Sequence, residues 1–150
     1  MPSAARGTIS RVPDIRRSAA RAAVAALLAA SLAGCGTQGD RTEVRGAVEA
    51  FLTALRTGDG RHACGQLSQD TVQQLVQQEQ APCEKAVAQL KLKPGPVTRV
   101  QVFVTNAKVD LASGESEFLD RDRAGWKLSA VGCEVQGKPA DRPYDCQAEA

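Results

Sequence analysis

Five cysteines, one histidine and one tyrosine are the side chains of this 150-residue chain with the widest chemical scope. Four of them, Cys64, Cys83, Cys133 and Cys146, form an even set in the C-terminal two-thirds. In an exported chain such a set reads as two disulfides. Of the three possible pairings, Cys64–Cys83 and Cys133–Cys146 are expected, because each closes a short local loop. By chain entropy each adds about 3 kcal/mol, a large share of a small domain's stability. A zinc site is not expected: no two cysteines make a CxxC pair, and His62 has a single cysteine near it.

General acid–base chemistry has few other carriers. His62 stands between Arg61 and Ala63 at the start of a short helix, with no carboxylate positioned by sequence to orient it. Tyr144 lies between Pro143 and Asp145, inside the predicted Cys133–Cys146 loop, where packing over the disulfide is its expected role. Asp120-Arg-Asp122 lacks the further oxygen ligands of a calcium loop and reads as a solvated turn. Neither a GxSxG nucleophile context nor a glycine-rich phosphate loop occurs. No catalytic residue, metal or cofactor is therefore expected.

The fifth cysteine belongs to a different segment. Arg6, Arg11, Arg16, Arg17 and Arg21, opposed only by Asp14, precede the twelve-residue apolar run "AAVAALLAASLA", Ala22 to Ala33. A basic stretch, a short apolar stretch and small exit residues give the order of a secretory signal. Twelve residues of helix span about 18 Å, short of the roughly 30 Å hydrocarbon core. Leu32-Ala33-Gly34-Cys35 resembles the lipobox of bacterial lipoproteins. The resemblance implies cleavage between Gly34 and Cys35 and a diacylglyceryl group on the Cys35 sulfur. Two acyl chains hold a protein on a membrane firmly, where one is marginal. "GTQGDR" after it reads as a short tether.

Charge excludes one class of partner. The chain carries 19 basic and 17 acidic side chains, but removing the leader's five arginines and one aspartate leaves 14 against 16. The exported part is slightly acidic, so nucleic acid is not an expected partner.

The elements that position these residues divide into two halves. Val44, Ala47, Val48, Phe51, Leu52 and Leu55 recur at helical spacing behind Asp40-Arg-Thr-Glu43, which resembles a capping box. Gly58 is a stop. Short helices follow: one with Ala63, Cys64 and Leu67 inward, and one capped by Ser68 or Asp70 with Val72, Leu75 and Val76 on a face. A third starts at Pro82 and aligns Cys83, Ala86, Val87 and Leu90. After "KPGP" the period becomes two. Val100, Val102 and Val104 alternate with polar neighbours and Phe103, then Ala107, Val109 and Leu111, then "ESEFLDR", and lastly Trp126, Leu128 and Ala130. Helices first and strands second predict an α+β fold, with N-terminal helices packed on a bent antiparallel sheet of about four strands.

The long helix with Phe51 and Leu55, "TGDGRHACGQLS", and the closing strand of "EFLDRDRAGWKLSAVGC" resemble the small NTF2-like, or cystatin-like, α+β cone. They are similar to uncharacterised exported lipoproteins of high-GC Gram-positive bacteria, as is "RPYDCQAEA" at the end. The resemblance implies a fold and an address: residues 1–34 a removed leader, 35–41 anchor and tether, 42–150 one domain. With aromatics at 3%, Phe51, Phe103, Phe118 and Trp126 supply the large apolar side chains, either as core or as the lining of a cone-shaped pocket. The expected function is a lipid-anchored extracytoplasmic binding or accessory protein without a catalytic centre. Its partners are membrane lipid through diacylglyceryl-Cys35 and an envelope protein or small apolar ligand. The alternative is an isomerase- or dehydratase-like enzyme using His62, Tyr144 or an acid inside the cone. Cys35→Ala is expected to leave the protein unprocessed or soluble in cell fractionation; unchanged detergent-soluble membrane retention contradicts the anchor.

Overall fold

The computed structural model describes residues 37–137 and 143–150; the leader, with Gly34 and Cys35, lies outside them. The fold is α+β. The long apolar stripe forms α1 (Thr37–Thr57), in which Val44, Val48, Phe51 and Leu52 are buried. The helix starts at Thr37, so the segment 37–41, expected as tether, is helical. Asp40 sits inside the first turn, where a negative charge suits the helix dipole, and does not cap it.

Gly58 ends α1 at φ +71°, and Asp59 caps α2 (Gly60–Gln66) by accepting from the His62 N–H at 3.0 Å. Ser68, one of the two expected caps, opens α3 (Gln69–Glu79) by accepting from Thr71 N–H at 3.1 Å. The next helix is shorter than its apolar spacing predicts. α4 is the single turn Cys83–Ala86, Pro82 is its N-cap, and a 3₁₀ turn covers Val87–Gln89. A disulfide Cys64–Cys83 clips α4 to α2, as expected from sequence.

The strands β1 (Val97–Phe103), β2 (Asn106–Leu111), β3 (Ser116–Asp122) and β4 (Gly125–Val135) pair antiparallel in chain order. The sheet is larger than the four strands expected. β5 (Tyr144–Asp145) and β6 (Ala148–Glu149) both pair antiparallel with β4. The C-terminal segment expected as a loop therefore becomes short edge strands, held by the Cys133–Cys146 disulfide.

The face toward the helices carries the rows Val102, Ala107, Leu119, Leu128 and Val100, Val109, Glu117. α1 lies across it, touching β1, β2 and β4. Two alternation readings change. β1 ends at Phe103, so Val104 falls in the β1–β2 turn. In β4, Leu128 faces Leu119 but Ala130 faces Phe118, so Ser129 is an extra residue and Ala130 leaves the Leu128 face.

The bulged strand also requires glycine at 132. Its φ is +64°, and a Cβ there would overlap the Leu92 side chain. Gly58 has a similar φ but open space around it. Gly132→Ala is therefore expected to cost about 1–2 kcal/mol, backbone strain plus the shift forced on Leu92, and Gly58→Ala about 1 kcal/mol from strain alone. Urea midpoints of the two variants check the order.

Candidate functional site

The residues with chemical scope do not converge. His62 is exposed at the rim of an open groove of about 430 Å³ shared with Glu49 and Asp59. Of these two carboxylates, Asp59 is occupied as the α2 cap. Tyr144 is on the outer sheet face, its ring edge-on to Phe118 with centroids 4.9 Å apart, so it packs on an aromatic partner. Asp120 accepts from Asn106 and Asp122 from the Ala124 N–H, both exposed.

The aromatic set divides in the same way. Phe51 and Trp126 are buried with Leu119 and Leu128 in one core. Phe103 is 57% exposed at the end of β1, because its pleat position faces away from α1. Phe118 is half-buried on the outer face, opposite Glu117 and Leu119 in parity. These two do not line an interior pocket. The Arg121 guanidinium lies over the Trp126 ring, 5.6 Å from its centroid.

What the sequence reading missed is a pair of acids inside. Glu115 and Glu117, on the turn before β3 and on β3 itself, are 1% and 0% exposed. Residues i and i+2 on a strand share a face, about 6.6 Å apart along it, and here that face meets the helices. Glu117 Oε2 accepts from the Gly132 N–H at 3.1 Å, and Glu115 Oε2 from the Lys93 N–H at 2.9 Å. The Oε1 atom of each has no protein partner among the described residues. Burial pushes the Glu117 carboxyl up to about 8; the neighbouring Glu115 charge adds to this and the Gly132 N–H opposes it.

A strap, residues 90–96, has no regular structure and covers the pair. Its Lys91 backbone exchanges two hydrogen bonds with the Gln147 carboxamide. Lys93 pairs through its ammonium with Glu134, and that hydrogen bond holds the ammonium pKa above its ordinary value. Leu92 lies over Gly132. On its other flank the strap walls an apolar recess of about 250 Å³ with Leu52, Leu55, Arg56, Val87 and Leu90. Chemically the pair can hold and release a proton. In this conformation none of the recess-lining residues is Glu115 or Glu117.

The outer face has its own polar group. Lys108 lies 5.1 Å from the Tyr144 ring centroid and 2.9 Å from Asp110, which also accepts from Ser116. Burial disfavours both charges, but the hydrogen bonds that Lys108 donates to Tyr144 and Asp110, and the one Asp110 accepts from Ser116, prevail, raising Lys108 and lowering Asp110. No group of three or more histidine, cysteine or acidic side chains able to hold a metal occurs among the described residues.

No protein-family model matches the chain, and no curated protein or solved structure is significantly similar to it.

The acids leave a signature in the pH dependence of stability. Folded Glu117 binds its proton more tightly than the unfolded residue, whose ordinary value is 4.5. Its contribution is thus complete below pH 4.5 and is lost as pH rises through about 8. At about 1.4 kcal/mol per unit the loss is up to about 5 kcal/mol. Glu117→Gln stays neutral throughout. Its stability relative to the native protein is expected to rise between pH 4.5 and 9 in denaturant titrations, and a constant difference contradicts the assignment.

Proposed function

We propose that this chain is an exported, lipid-anchored accessory protein of the cell envelope, NTF2-like in fold, that binds a protein partner through its outer sheet face. The lipobox at Cys35 motivates the address. Two disulfides, Cys64–Cys83 and Cys133–Cys146, suit an oxidising compartment outside the cytoplasm. The anchor supplies the lipid contact through diacylglyceryl-Cys35.

The observation that carries the binding mode is the contrast between the two sheet faces. The helix-covered face is filled by Phe51, Leu75, Leu119, Leu128 and Trp126. Its flanking recess of about 250 Å³ falls below the roughly 300–1,000 Å³ of ordinary ligand sites. The other face presents Phe118 and Tyr144, half-buried and in ring contact, beside the Lys108–Asp110 pair. Aromatic anchors edged by charge are the usual centre of a protein interface.

A second reading, proton-transfer catalysis of the isomerase or dehydratase type, is favoured by Glu117 alone. It is an acid on the inner face, largely protonated at neutral pH, with one oxygen unpartnered. Substrate would have to displace Leu92 to Pro94. His62 and Tyr144 have no part in it.

The test is photo-crosslinking in intact cells, with a benzophenone side chain at position 144 or at position 52. A discrete adduct from position 144, lost in Phe118→Asp, is expected. Adducts only from position 52, together with an extractable small molecule in the purified protein, contradict the protein-binding mode and favour a ligand in the recess.

A further inference from the structure

The β1–β2 hairpin tip is built unlike a solvated turn. Phe103 is 57% and Val104 88% exposed; Val135, at 67%, is the remaining exposed large apolar side chain among the described residues. Val104 and Thr105 form the two-residue connection between β1 and β2, and Val104 adopts φ +51°. Hairpin connections of two residues take glycine or asparagine at positive φ. A β-branched residue there is strained by about 1–3 kcal/mol and gains no burial within the chain.

The tip's place in the fold says what lies nearby. The Arg121 N–H donates to Thr105 O at 2.8 Å, and the Arg121 guanidinium pairs with Asp40 Oδ1 at 2.7 Å. One residue therefore ties the tip to the first turn of α1. Along α1 the contacts climb β1 in the same direction. Arg45 reaches Val97 O, and Gln38 and Arg41 share a groove with Thr98 to Val100. Val135 closes β4 at the opposite end of the sheet, because β4 begins at Gly125 opposite Asp122. Cys35 is two residues before Thr37, a reach of at most about 7 Å. An acyl group on its sulfur brings the bilayer to the end of the domain that carries Phe103 and Val104, and not to the end that carries Val135.

We propose that Phe103 and Val104 enter the interfacial layer of the membrane to which Cys35 is tethered, giving the domain a second contact and a fixed orientation; this rests on the lipid-anchor reading. Two apolar side chains are too few to hold a free protein on a bilayer. Tethering converts their insertion into an intramolecular step at high effective concentration, so a weak contact is populated. The outer sheet face, with Phe118 and Tyr144, then projects sideways along the membrane, where a neighbouring envelope protein can reach it.

The full-length protein, purified in detergent from membranes and reconstituted into phosphatidylethanolamine–phosphatidylglycerol vesicles with brominated acyl chains, tests this. Phe103→Trp and Val135→Trp report the two ends after subtraction of Trp126 emission. Expected is strong bromine quenching and several-fold lower iodide quenching at position 103, with the reverse at position 135. Val104→Asn, which relieves the turn strain and so keeps the fold, should reduce bromine quenching of the position-103 probe at least about twofold. Equal iodide access at both positions in vesicle-bound protein overturns the tip contact alone. Iodide shielding at position 103 without bromine quenching also overturns it, assigning the tip to a second copy or another protein. Unchanged membrane retention of Cys35→Ala in cells overturns the anchor reading, whatever the tip does.

Discussion

The irregular register of β4, with one extra residue at Ser129 and another between Ala130 and Cys133, is the constraint on which most of this structure rests. A strand of eleven residues cannot keep one side chain register against β3 and also serve the helices and the C-terminal segment. The extra residue at Ser129 frees the carbonyls of Leu128 and Ser129, and buried carbonyls require donors. The N-terminus of α3 and the end of the chain supply them: Ser68 N–H and Thr71 Oγ1 bind Leu128 O, and Thr71 Oγ1 and Ala150 N–H bind Ser129 O. Thr71 is fully buried for this reason. The same strand carries Gly132, whose N–H holds Glu117, and Cys133, which fixes the C-terminal edge strands.

Those edge strands in turn set the strap. The disulfide at Cys146 places the adjacent Gln147 against Lys91, and its carboxamide acts there as a substitute strand partner. Lys93 N–H is thereby laid on Glu115. The two inner carboxylates are thus closed in by a chain of contacts that begins at the bulge. Removing two carboxyl groups from water is costly unless one stays protonated, and the elevated Glu117 pKa is the form that cost takes.

The two ends of the domain differ in character. One end joins the start of α1, the Asp40–Arg121 pair and the apolar hairpin tip. The other holds the strap, the Lys93–Glu134 pair and the Cys133–Cys146 disulfide. The exposed Phe103 and the strained Val104 lie together at the first end, and the Cys133–Cys146 disulfide lies at the second, with an ion pair at each. This polarity is a property of tertiary arrangement, since Phe103 and Arg121 are eighteen positions apart and Asp40 is further still.

The sequence alone determined the α+β order, the stripe of α1 and Ser68 as a candidate helix start, and short loop length favoured the two disulfide pairings that the structure shows. Each of these depends on local periodicity, a local cap or a short loop, and local interactions are read without knowing the register. It was silent on Glu115 and Glu117. Nothing in the local pattern of "ESEFLD" marks its acids as inward, and only the pairing of Glu117 with Val109 puts them inside. Val104 continued a clean alternation with Val100 and Val102, yet the chain reverses there, because Val102 and Phe103 already pair with Ala107 and Asn106. The Ser129 bulge likewise breaks the period of two that made Ala130 look like a neighbour of Leu128. Register, bulges and the burial of charge are decided by which strands meet, and that decision belongs to the tertiary structure.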